Sequence, residues 1–215
     1  MNRFVATAAV LAVGLLLSPA VRAAGEPTVL TYEIRKEGEP IGRERVSLDR
    51  EGESARVQVE THTKARVLFM DFHYDHRREE RWQDGRLVRM VADTDDDGTR
   101  THTEAERGGG AWAVRVNGEA GQRPAEALPL TLWSRAIVGH GQLFGVIDAK
   151  PYAVEVVTLG TETIPLPDGG SARADHVRVS GDIERDLWYG PDGLLLRATF
   201  TRAGYPIEMV RLGRK

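Results

Sequence analysis

The sequence predicts an all-β chain with a minor α contribution: a curved antiparallel meander forming a barrel or half-barrel, with one short helical segment covering the concave face. Three observations predict it. From Thr28 onward apolar and polar residues alternate with period two, as in half-buried strands. Glycine-containing turns interrupt the alternation about every ten residues, the rhythm of strands folded one after another. About a dozen such strands exceed what an open twisted sheet usually tolerates, so the sheet must curl.

Each element follows from its own residues. In residues 29–35, Leu30, Tyr32 and Ile34 share one face while Thr31, Glu33 and Arg35 take the other. After the turn Glu37-Gly38-Glu39-Pro40, the strand 41–49 sets Glu44 in phase with Val46 and Leu48. A third strand alternates Val57, Val59, Thr61 and Thr63 against Gln58, Glu60 and His62. Residues 65–82 read as a long aromatic stretch with a bulge or a bend where the strand changes direction or curls, because the step from Phe69 to Phe72 breaks the even spacing. Asp84-Gly85 is a hairpin signal. Strands 87–94, 99–106 and 112–116 follow, separated by the acidic turn Asp95-Asp96-Asp97-Gly98 and a Gly108-Gly109-Gly110 tip.

Residues 119–129, rich in Gly, Ala, Glu and Pro, read as a connection. Residues 130–147 carry the helical character: Leu132, Trp133, Ala136 and Ile137 form an apolar stripe, with Thr131 or Ser134 as cap. Gly139, Gly141 and Gly145 keep that helix short. Strands resume at 153–160, 163–166, 174–180, 183–189, 194–202 and 207–212.

The first 23 residues read as a signal peptide. Arg3 supplies a positive start, residues 4–17 are an apolar run of 14, Ser18-Pro19 breaks it, and Val21-Arg22-Ala23 is a small-residue cleavage pattern. Fourteen helical residues are too short for a ~30 Å hydrocarbon core. The expected mature chain, 24–215, is then one antiparallel β domain in the periplasm, not an integral membrane protein. The whole chain carries a net charge of −3, and loss of Arg3 and Arg22 takes it to −5. With no basic stripe, nucleic acid is excluded as a partner, since counterion release needs clustered Lys and Arg. The absence of cysteine excludes disulfides, thiolate metal sites and cysteine nucleophiles.

Two groups of residues offer metal chemistry. Asp93, Asp95 and Asp97, followed by Gly98 and Glu104, match the spacing of a calcium loop in which short carboxylates and a distal Glu surround a hard cation. The flanks alternate as strands, where an EF-hand needs helices, so the same residues also read as a tight hairpin turn. His62, His73 and His76 form the second group. His73 and His76 are three apart and point to opposite faces of a regular strand, so one metal reaches both only across a bulge. No cofactor is otherwise expected, and no nucleophile motif supports hydrolysis.

The remaining candidates are aromatic: Phe69, Phe72, Tyr74, Trp82, Trp112, Trp133, Phe144 and Trp188. They serve as core, or they line an apolar cavity in the concavity where the 130–147 segment fills it only in part.

Tyr32-Glu33-Ile34, Gly38-Glu39-Pro40-Ile41-Gly42, the run Phe72-His73-Tyr74-Asp75-His76-Arg77, Glu80-Arg81-Trp82-Gln83-Asp84-Gly85-Arg86-Leu87 and Asp186-Leu187-Trp188-Tyr189 together resemble a family of proteobacterial exported proteins whose domain has no assigned function. The resemblance spans nearly all of the chain after residue 23 and implies periplasmic placement without supplying a catalytic residue. It also extends distantly to periplasmic domains with curved antiparallel sheets, comparable in shape to half-barrel lipid carriers. The sequence thus points to a non-enzymatic protein holding an apolar or amphipathic, lipid-like ligand in the concave face. A metal-binding module or metal-dependent enzyme is the alternative, and an envelope interaction scaffold the third reading.

Overall fold

The computed structural model describes residues 26–67 and 70–213, so the leader segment and Phe69 lie outside the described residues. Fifteen strands follow in chain order: β1 (Thr28–Lys36), β2 (Glu39–Glu51), β3 (Ser54–Val67), β4 (Met70–Gln83), β5 (Arg86–Asp96), β6 (Thr99–Arg107), β7 (Ala111–Val116), β8 (Glu119–Pro124), β9 (Leu128–Pro129), β10 (Gln142–Phe144), β11 (Pro151–Pro165), β12 (Ser171–Gly181), β13 (Arg185–Tyr189), β14 (Leu195–Arg202) and β15 (Tyr205–Arg211). They form one large curved sheet that does not close: from edge to edge the order runs from β8 down to β1 and then from β15 down to β9. Every neighbouring pair is antiparallel except β9 with β10.

Turn chemistry sets this meander. Glu37-Gly38, Asp84-Gly85, Asp97-Gly98 and Asn117-Gly118 each place two successive residues at positive φ, the backbone that matches the twist of paired strands. Period-two burial then puts one residue set inside. Leu30, Tyr32 and Ile34 of β1, Val46 and Leu48 of β2, and Val57 and Val59 of β3 are buried on the same face as Leu187 and Tyr189 of β13 and Ala198 of β14. A smaller cluster of Ile164, Ala174, Trp188 and Leu196 lies apart from it.

Of the two readings of the slip between Phe69 and Phe72, the change of direction holds: β3 ends at Val67, β4 begins at Met70, and these two residues pair. Bulges occur elsewhere, among them Arg81/Trp82 and Thr158/Gly160, the latter joining two expected strands into β11. The stretch 119–129 is not a bare connection, since β8 and β9 lie within it.

The expected helix at 130–147 is also corrected. There β10 occupies Gln142–Phe144, and the only helical element is a 3-10 turn, Arg135–Ile137. Its backbone groups are committed across the chain: Arg135 N–H donates to Gly193 O at 3.1 Å, Leu195 N–H to Trp133 O at 3.0 Å, and Leu130 N–H to Phe144 O at 2.8 Å. These bonds compete with a helical ladder that three glycines already weaken. The segment still packs on the concave face, where Trp133, Ile137, Leu143 and Phe144 join the core. Among the described residues no helix is long and apolar enough to cross a membrane.

Candidate functional site

β4 carries an unusual inner face. Alternate residues Tyr74, His76, Arg78, Glu80 and Trp82 point inward, where neighbouring strands present valines and leucines. Glu80 has no exposed surface. Its Oε1 accepts from Arg78 Nε at 2.8 Å and Thr131 Oγ1 at 2.8 Å, and its Oε2 from the indoles of Trp82 and Trp133 at 2.9 Å each. A buried carboxylate is stable only when donors replace its lost hydration, and four do. Two of them come from the 130–147 segment, so Glu80 pins that segment to the sheet.

His76, 2% exposed, sits between Thr94 and Arg78. Its Nδ1 lies 2.9 Å from Thr94 Oγ1, and Arg78 Nη1 faces its Nε2 at 3.3 Å. Since a guanidinium only donates, Nε2 is the acceptor and Nδ1 carries the proton. Burial, reinforced by the positive charges of Arg78 and Arg202, holds the imidazole pKa down at about 3, so the ring is neutral. Tyr74 stacks on His76 with ring centroids 6.0 Å apart, and Arg202 lies over the Tyr74 ring at 4.1 Å. Across the sheet, Glu44 accepts from Thr61 Oγ1 at 2.9 Å, and burial raises its carboxyl pKa, opposed by Arg78 and that hydrogen bond.

These groups border a cavity of about 340 Å³ between the sheet and the 130–147 segment. Apolar side chains including Ile34, Leu132, Phe200 and Met209 form its walls, while Glu44, Tyr74, His76, Arg78, Arg185 and Arg202 supply polar groups. Broader depressions, of about 460 to 630 Å³, lie elsewhere; the one beside His62 and His102 is lined almost wholly by polar and charged side chains.

Of the expected aromatic ligand contacts among the described residues, Tyr74 lines the cavity, whereas Phe72, Trp82, Trp112, Trp133, Phe144 and Trp188 do not. Trp82 and Trp133 pack edge to face at 5.6 Å, as do Trp112 and Phe144, and all four are buried in the core. Trp188 stacks on His176 at 4.6 Å in the smaller cluster, and Phe72 is 36% exposed. Large aromatic rings fill the inner layer because they bury the most area.

Among the described residues the expected metal ligands do not form one metal-holding cluster, although His73 lies 3.6 Å from Asp95. His76 faces inward, whereas His62 meets Asp75 at 2.5 Å and His73 lies 3.4 Å from Asp97, both on exposed surface. In the acidic hairpin, Asp93 binds His102 at 2.7 Å, and Asp95 accepts the Gly98 N–H at 2.8 Å and pairs with Arg100 at 3.2 Å. Asp97 occupies the positive-φ corner of the turn, and Glu104 sits opposite Val91, beyond the Asp93 and His102 pair. Among the described residues no three His, Asp or Glu side chains are grouped to hold a metal ion.

Tyr74 was among the expected cavity residues, but the polar lining from Glu44, His76, Arg78, Arg185 and Arg202 was not singled out by sequence reasoning. A signal was present: Glu44 is in phase with Val46 and Leu48, and Arg78 and Glu80 with Trp82, so charges stand at positions whose period marks them as inward.

The profile of a domain of unknown function, DUF6134, matches residues 32–212. The chain belongs to this family. The match includes β4, the 130–147 segment and both arginines, so the whole DUF6134 cavity lies inside the family's domain. No curated protein matches the sequence. Among solved structures, the DUF6134 chain is similar to a beta-barrel-like protein of domain of unknown function DUF1849 from Brucella abortus, with a TM-score of 0.62 and 11% identity over 88% of this chain and 98% of that one. At that identity the likeness concerns the fold alone.

Proposed function

We propose that this chain is a non-enzymatic periplasmic binding protein that holds an apolar or amphipathic, lipid-like ligand in the concave face of its sheet. The observation that carries the reading is the 340 Å³ cavity, which has apolar walls, a polar strip along β4 and a roof made by the 130–147 segment. Its size is at the lower end of the ~300–1,000 Å³ typical of small-molecule sites. That suits a single chain or a compact ring system and not a two-chain phospholipid. The leader-like N-terminus supports the compartment: an apolar run of 14 residues followed by Val21-Arg22-Ala23.

Native mass spectrometry of protein isolated from the periplasm tests it. The expected result is a population heavier than the bare polypeptide that is lost on organic extraction, together with binding of an apolar dye that Leu132→Trp abolishes. Bare polypeptide mass and no dye binding would defeat the reading.

A further inference from the structure

Three guanidinium groups border the cavity, and they are not equivalent. Arg78 is neutralised by Glu80 at 2.8 Å. Arg202 shares its charge with Asp96 at 2.8 Å on the outer side. Arg185 has no carboxylate near enough to offset it among the described residues, and its Nε is sealed from solvent with no hydrogen-bond acceptor. A guanidinium in that state is costly, because the hydration it gives up on burial is not replaced. Burial accordingly lowers its pKa to about 10, with Arg202 pushing the same way.

Arg185 is nonetheless fixed in place. Its Cζ lies 4.3 Å from the centroid of the Phe200 ring, as that of Arg202 lies over Tyr74, and both rings line the cavity. Stacking holds each guanidinium by its face and leaves its N–H edge for a partner. Glu44, the carboxyl that lines the cavity, is engaged by Thr61 and is not among the charges that act on Arg185.

We infer that Arg185, with Arg202 beside it, is the head-group site for an anionic single-chain amphiphile whose carboxylate seats on the guanidinium edge and whose chain lies against Ile34, Leu132 and Met209. A carboxylate matches the planar fork of arginine in two parallel hydrogen bonds, and it restores the acceptor and the charge that the folded chain does not provide. This inference rests on the amphiphile-binding reading and sharpens it to a ligand class.

The test compares decanoate, decanol and decyl phosphate by calorimetric titration of the delipidated full chain and of Arg185→Gln and Arg185→Lys. The wild-type protein is expected to bind decanoate roughly tenfold to hundredfold more tightly than decanol, the effect of one charge-assisted pairing. Arg185→Gln should bring decanoate to the level of decanol while leaving decanol unchanged, and Arg185→Lys should recover part of the difference. Equal binding of decanoate and decanol by wild type overturns the head-group site and leaves the carrier reading intact. Tighter binding of decyl phosphate than of decanoate overturns the carboxylate assignment. If none of the three binds, the carrier reading itself fails. The melting temperature of Arg185→Gln is expected not to fall, because the substitution removes a buried charge whose Nε has no acceptor, so a loss of decanoate binding reports the site and not the fold.

Discussion

Replacing Glu80 by glutamine tests the central packing argument. The side chain keeps its shape, but one of its two acceptor oxygens becomes a donor. Each oxygen serves two donors, so the new amide faces either the two indoles of Trp82 and Trp133 or the pair Arg78 and Thr131. Arg78, itself buried, loses its counter-charge in either orientation. Removing one partner of a buried, hydrogen-bonded ion pair costs about 3–5 kcal/mol. In a protein of this length each kcal/mol is worth about 2–4 °C, so the melting temperature should fall by about 6–20 °C. Glu79→Gln is the control, one residue away on the outer face, where its ion pair with Arg56 is exposed and worth under about 1 kcal/mol. Urea unfolding followed by tryptophan emission reads both, and Trp82 and Trp133 report the site directly because they contact the carboxylate. A loss under about 1 kcal/mol for Glu80→Gln, no larger than for Glu79→Gln, would refute the claim that this carboxylate fastens the 130–147 segment to the sheet.

Three further outcomes are expected. His76 has a pKa near 3 when folded and an ordinary value near 6.5 when unfolded, so the unfolded chain binds a proton that the folded one refuses. Its contribution is therefore complete above pH 6.5 and is lost as pH falls toward 3, at up to about 1.4 kcal/mol per pH unit. His76→Asn should flatten the acid limb of stability against pH measured by urea titration, while Glu44, whose folded pKa is raised, acts in the opposite sense and remains. Gly42→Ala would place a Cβ 2.0 Å from the His62 carbonyl oxygen, so β2 and β3 must separate; the expected loss is about 1–3 kcal/mol, against almost none for Gly110→Ala, which meets no atom within 4 Å. Millimolar calcium should leave the melting temperature unchanged, because Asp93 and Asp95 are engaged by His102, Gly98 and Arg100; a reproducible rise would return the acidic hairpin to the metal reading.

Much of the sheet was legible because its signals are local. Asp84-Gly85 and Asp97-Gly98 demand positive φ and therefore a tight reversal, and the alternation of Leu30, Tyr32 and Ile34 fixes which side faces the core. Local signals also misled. The slip between Phe69 and Phe72 has the same appearance whether a strand bulges or reverses, and no glycine turn there decides between them. Leu132, Trp133, Ala136 and Ile137 have helical spacing, but Trp133 and Arg135 give their backbone groups to Leu195 and Gly193, partners about sixty residues away.

The sequence alone determined the all-β class, the position of most turns, the inward set of the first strands and the separation of His73 from His76 onto opposite faces. Only the tertiary structure decided the closure, the core and the site. Whether fifteen strands seal into a barrel depends on how β8 and β9 come to lie, and they stand at the two edges of the sheet without pairing with each other. Which aromatics fill space and which border the cavity depends on what stands opposite them across the concavity, and period two carries no information about that. The four donors around Glu80 and the unpaired charge of Arg185 arise in the same way. An ion pair or its absence is a relation between residues far apart in the chain, and it exists only once the sheet has curled to bring them together.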